Sequence, residues 1–168
     1  YQLPVFLLTD QYFADSIQIH EETIPLETAF REYPEFDRSY RRFRLTDDGV
    51  SPLACPGGEA IVRVISDEHD EAAQITEDRD TRIRMVDKRR KKTALLMKDA
   101  VPPTLYGAED APALILCWGS TKLIVKEAAE RLGAAGIPVS VLHFGQVYPL
   151  TPEMVAPYRI GEKKVVCV

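Results

Sequence analysis

Residues 113–144 constrain the fold more than any other part of the chain. "ALILCW" (Ala113 to Trp118) is a short apolar run of strand length. "GSTKLIVKEAAERLGAAG" follows as a turn and an amphipathic helix, with Ser120 or Thr121 as the expected cap and Gly136 as the stop. "IPVSVLHF" is a second strand, and "VVCV" at 165–168 a third. Two strands joined through a helix of this length make a parallel pair with a right-handed crossover. The expected class is therefore α/β, with a parallel βαβ unit in the C-terminal part.

Upstream, Pro102 and Pro103 forbid helix continuation and mark the best domain boundary. Before them a charged helix is expected from Thr76, capped by that residue. Its acidic residues lie early and "KRRKK" (Lys88 to Lys92) lies late, as the macrodipole favours. Ile83, Val86, Arg90, Thr93 and Met97 give it a thin apolar face, so it reads as largely exposed. Val5 to Leu8 and "AIVRVI" (Ala60 to Ile65) read as strands, and Thr9 or Asp10 as caps for "QYFADSIQ". Residues 20–50 keep no clean period and read as an extended arm. Its aromatics Phe30, Tyr33, Phe36, Tyr40 and Phe43 need a surface to pack on, within the domain or across an interface.

The chain is 45% hydrophobic and 28% charged, the balance of a globular protein. A formal net charge of −5 argues against a nucleic-acid binder, and the basic run shares its helix with acidic residues. No apolar run approaches the roughly 20 residues that span a bilayer. Cys55, Cys117 and Cys167 are scattered, without a Cys-x-x-Cys pair for zinc or iron–sulfur ligation, and fit a reducing cytoplasm. The chain opens in the lead into a strand and closes in an apolar run, so it reads as a piece of a longer polypeptide.

Three places carry candidate chemistry. "SDEHDE" (Ser66 to Glu71) sets Asp67, Glu68, Asp70 and Glu71 around His69. Carboxylates beside an imidazole suit acid–base chemistry or a divalent cation. Adjacent residues do not converge on one ion, however, and a polar turn is the plainer reading. Gly119-Ser120-Thr121 opens a helix after a strand, where phosphates bind, but without a phosphate-binding glycine pattern. His143 ends a strand, where ligands bind in open α/β sheets.

"LPVFLLTDQYFADS", "GVSPLACPGGEA", "SDEHDEAAQITEDRDTRIRMVDKRRKK", "LILCWGSTKLIVKEAAERL" and "VLHFGQVYPL" occur in that order. Together they resemble the alpha subunit of 2-oxoacid:ferredoxin (acceptor) oxidoreductases, most of all the 2-oxoglutarate type, from Leu3 to Val168. The resemblance implies that residues 1–74 end a thiamin-diphosphate pyrimidine-binding-type domain. Residues 75–110 would be a linking helix and Pro-rich linker, and 111–168 the incomplete start of a transketolase C-terminal-like domain. It implies oxidative decarboxylation of a 2-oxoacid with coenzyme A as co-substrate and ferredoxin as acceptor. Thiamin diphosphate would sit at the interface with a beta subunit that carries the iron–sulfur cluster. The family's substrate motif and activating glutamate lie upstream, so no catalytic residue and no metal ligand is expected in this chain. Asp67, His69 and Asp70 are the expected substrate-binding residues, with His69 donating to a substrate carboxylate and Asp67 orienting it. Arg63 is a candidate partner for a distal carboxylate. The chain departs from the family at Ser66, where many members have Gly, and at Ala73-Gln74, where Gly-His is frequent. The rival reading is a non-catalytic assembly module of a transketolase-like complex; a weaker one is a stand-alone nucleotide-binding protein.

Overall fold

The computed structural model describes residues 1–17, 19, 28, 30 and 32–168. Most of the first third of the expected arm, residues 20–27, lies outside them. The chain divides into two compact units, Tyr1–Leu3 with His20–Leu96, and Pro4–Ile19 with Met97–Val168. Among the described residues no helix is long and apolar enough to cross a membrane.

The second unit holds the sheet. Helix α1 (Gln11–Asp15) is capped by Asp10, whose side chain accepts from the Phe13 amide at 2.8 Å. Strand β1 (Thr104–Tyr106), β2 (Ala113–Trp118), β3 (Val139–Phe144) and β4 (Lys164–Cys167) lie in the order β1-β3-β2-β4. β2 is parallel to both neighbours, with Ala113 opposite Val139 and Lys164. β1 runs antiparallel to β3, with Thr104 opposite His143. It falls in the expected Pro-rich linker; three residues show no period, and pairing with β3 makes them a strand. Helix α3 (Lys122–Ala134) joins β2 to β3 and buries Val125 against Cys117 and Val141. It ends as expected: Gly136 sits at φ +81° and the Ile137 amide returns to the Leu132 carbonyl at 2.9 Å. Its start differs. Neither expected hydroxyl caps it, because Thr121 donates back to the Trp118 carbonyl and Ser120 donates to Asp10.

Two expected strands do not form. Val5 and Leu7 are 93% and 90% exposed, without a partner strand among the described residues. In "AIVRVI" Ala60 and Val62 turn inward and Ile61 out, but Val64 is 71% exposed, and the segment joins no ladder among the described residues. Apolar alternation specifies a face, while a strand also needs a neighbour to pair with.

The first unit is built around helix α2 (Arg79–Lys98). Asp78, not Thr76, caps it, taking the Thr81 amide at 2.7 Å. Thr76 instead accepts from the Asp78 amide. The helix buries Met85 and Lys88, a face rotated from the expected one, and leaves Ile83 about half exposed. A small core of Tyr40, Ala54 and Ala60 takes Phe36 and Val62 against it. The Tyr40 hydroxyl donates to the Pro52 carbonyl and accepts from the Ala54 amide. Phe36 and Tyr40 thus pack within their own unit, while Phe30 and Tyr33 stay exposed.

Candidate functional site

The acidic stretch closes into a tight loop. An isolated antiparallel bridge joins His69 to Ile75, and the Thr76 amide reaches the Glu68 carbonyl at 3.1 Å. Asp70 makes the turn: its Oδ1 accepts from the amides of Ala72 and Gln74 at 2.8 and 2.9 Å. Ala73, buried, sits at φ +61°, a conformation that strains any side chain with a Cβ. Ala73→Val should therefore lose about 2 kcal/mol of stability, while Ala73→Gly stays within about 1 kcal/mol, as read by chemical unfolding.

The carboxylates are distributed rather than convergent. Glu68 forms a forked pair with Arg89 at 2.9 and 3.1 Å, and that bonding lowers its pKa. Glu71 accepts from the Leu45 amide through its side chain at 2.6 Å and from the Phe43 amide through its carbonyl. Among the described residues no three His, Cys, Asp or Glu side chains are grouped to hold a metal ion.

His69 is held on two sides. Its Nδ1 lies 2.7 Å from the Asp67 carbonyl, and its ring centroid 3.9 Å from that of Phe43. An Nδ1–H donated to a carbonyl leaves Nε2 as a lone pair in the neutral ring and a second donor only in the protonated one. Of the three expected substrate residues, His69 alone stacks on an aromatic ring. Asp67 contributes its backbone carbonyl and Asp70 holds the turn.

His69 also lines a cavity of about 240 Å³. Arg42, Lys88, Arg89 and Lys92 line it too, and among the described residues no Asp or Glu does. The Lys88 ammonium donates to the Phe43 carbonyl at 2.9 Å, and that of Lys92 to the Tyr1 carbonyl at 2.9 Å. Arg42 donates to the Gln2 side chain at 3.0 Å and lies 5.0 Å from the Phe43 ring centroid. Burial, with Lys92 and Arg42 nearby, pushes the Lys88 pKa down to about 8. A larger concavity of about 460 Å³ shares Gln2 and Ser51 with it, but Glu32 and Asp48 bring acidic groups there. Arg63 is exposed and lines neither. In the second unit, burial lowers the His143 pKa, and its Nε2 finds no partner among the described residues.

No family model matches the chain. The alpha subunit of 2-oxoacid:ferredoxin oxidoreductase from Saccharolobus solfataricus is 30% identical over 181 residues, covering 100% of this chain and 28% of the relative. Subunit alpha of 2-oxoacid:ferredoxin oxidoreductase 2 from Aeropyrum pernix is 30% identical over 176 residues, covering 100% and 27%. The chain is a homologue of 2-oxoacid:ferredoxin oxidoreductase alpha subunits. Among solved structures, 2-oxoglutarate:ferredoxin oxidoreductase from Magnetococcus marinus, with 2-oxoglutarate, coenzyme A and succinyl-CoA bound, matches with a TM-score of 0.71. That match is 28% identical and covers 82% of this chain and 24% of that one. This alpha-subunit homologue spans little more than a quarter of its curated relatives, 28% of the first.

Sequence reasoning missed the basic lining of the His69 cavity in this homologue. The signal was present: Lys88 and Lys92 stand four apart, on one helical face. It was masked because a basic run near a helix end reads as solvated.

Proposed function

We propose that this chain is part of the alpha subunit of a thiamin-diphosphate-dependent 2-oxoacid:ferredoxin oxidoreductase, acting on 2-oxoglutarate and forming an acyl-CoA in the cytoplasm. Residues 1–74 would close the pyrimidine-binding-type domain, 75–110 link, and 111–168 open the transketolase C-terminal-like domain. A beta subunit would carry the iron–sulfur cluster and pass electrons to ferredoxin. Thiamin diphosphate supplies the carbanion chemistry when bound. The described residues of this chain do not fit its metal or the cluster, since they group no metal-ligand set.

The observation that carries a substrate role is the fixed posture of His69, tied at Nδ1 and stacked on Phe43. A protonated His69 would donate from Nε2 to the carboxylate of the 2-oxoacid. Asp67 and Asp70 would act as positioning residues, through the carbonyl and the turn. A second reading has a specific observation behind it: Glu68 on Arg89 and Glu71 on Leu45 make the loop a polar lock between α2 and the arm.

The test is CoA-dependent reduction of a viologen dye by the complete alpha subunit with its beta partner, wild type against His69→Ala. A charge-assisted hydrogen bond is worth about 1.5–3 kcal/mol, so kcat/KM for 2-oxoglutarate should fall about 10- to 150-fold with assembly intact. An unchanged kcat/KM would leave the lock. Inactivity of the loaded wild-type complex on every 2-oxoacid would overturn the enzyme assignment.

A further inference from the structure

The cavity beside His69 gathers more positive charge than the described residues around it pair. Arg89 is matched by Glu68. Arg42, Lys88 and Lys92 have carbonyl or amide partners instead, and no carboxylate pairs with any of them among the described residues. Glu71 acts on Lys88, and Asp48 on Lys92, only from a distance. A carbonyl satisfies one donor of an ammonium that has three, and one of five on a guanidinium. Donors are thus left over at all three cations.

Burial first, and then the nearby charges of Lys92 and Arg42, lower the Lys88 pKa, so like charges share a partly buried place. The unit keeps them there with three separate anchors, on Phe43, Tyr1 and Gln2. Size limits the guest. A cavity of about 240 Å³ holds roughly eight waters' share of liquid volume, and whole cofactors need about 300–1,000 Å³. Charge limits it further, since three unmatched cations suit a multiply charged tetrahedral anion better than a single planar carboxylate.

We infer that this cavity is a phosphoryl-binding site, formed by Arg42, Lys88 and Lys92, that takes inorganic phosphate or the phosphate end of a larger ligand. The inference does not rest on the proposed reaction. It shares one wall, His69, with the proposed substrate site, so the two are tested by different readouts.

The experiment is calorimetric titration of the complete enzyme, loaded with thiamin diphosphate and free of coenzyme A, with inorganic phosphate. Wild type is compared with Arg42→Gln/Lys92→Gln and with the control Lys126→Gln on α3. Saturable binding weakened about tenfold or more in the double variant, and unchanged in the control, is the expected result. Affinity should also fall as pH rises through about 8, where Lys88 loses its proton in the field of Arg42, Arg89, Lys92 and Glu71. If the double variant does not fold, each single variant is expected to weaken binding about threefold. Titration with coenzyme A and its dephosphorylated form separates the sources. A loss in the double variant for coenzyme A alone identifies a ligand's phosphate end; no change for either identifies free phosphate. Phosphate binding equal in all variants would overturn the inference, as would 2-oxoglutarate displacing phosphate at equal or lower concentration. Dye reduction reports the His69 reading separately, and either can fail without the other.

Discussion

Gly49→Ala is expected to destabilise the first unit by about 3 kcal/mol or more. Gly49 sits at φ +77°, where a Cβ already strains the backbone. That Cβ would also stand 2.3 Å from the Lys88 carbonyl oxygen and 3.1 Å from Lys91 Cβ. The clash is with helix backbone, which cannot step aside as a side-chain tip can. The arm would have to lift from α2, and Lys91 would lose its bond to the Thr46 carbonyl. Urea unfolding followed by circular dichroism would read the loss. A change under about 0.5 kcal/mol would mean that the arm does not pack on the helix as described.

Leu142→Ala should cost about 2–5 kcal/mol in the second unit. Leu142 is fully buried, at 0% exposure, on β3 between β1 and β2. Removing three carbons there leaves a cavity that a sheet paired on both sides cannot close. Trp118, the single tryptophan, stands on β2 opposite Phe144 and reports this unit by fluorescence. Val166→Ala on β4 is the contrast. Val166 is 58% exposed, and its loss should stay within about 0.5 kcal/mol.

The difference between the units explains what the sequence disclosed. β2, α3 and β3 were legible because period, length and the Gly136 stop agree over 30 residues. Such agreement across levels leaves few alternatives. β1 was not legible, since its three residues become a strand only beside β3. Val5–Leu8 and Ala60–Ile65 misled in the opposite way: both carry strand composition without a partner strand among the described residues. At the candidate site, the cluster around His69 was visible as composition. Its division of labour was not, because which carboxylate meets Arg89 and which holds amides depends on the fold of the turn. The cavity was least legible of all. It brings Arg42 of the arm to Lys88 and Lys92 of the helix, and no local pattern encodes that meeting.

The anchors between helix and arm have a consequence for how such a protein can drift. Lys88 holds Phe43, Lys91 holds Thr46 and Lys92 holds Tyr1, each through a main-chain carbonyl. Every residue type offers that carbonyl, so the lysines grip the main chain, Lys88 and Lys91 along the arm and Lys92 at Tyr1, whatever side chain stands there. The grip itself tolerates exchanged side chains, while the Phe43 ring is also held by its stack on His69. The restriction falls instead on Gly49, where any added carbon meets the helix.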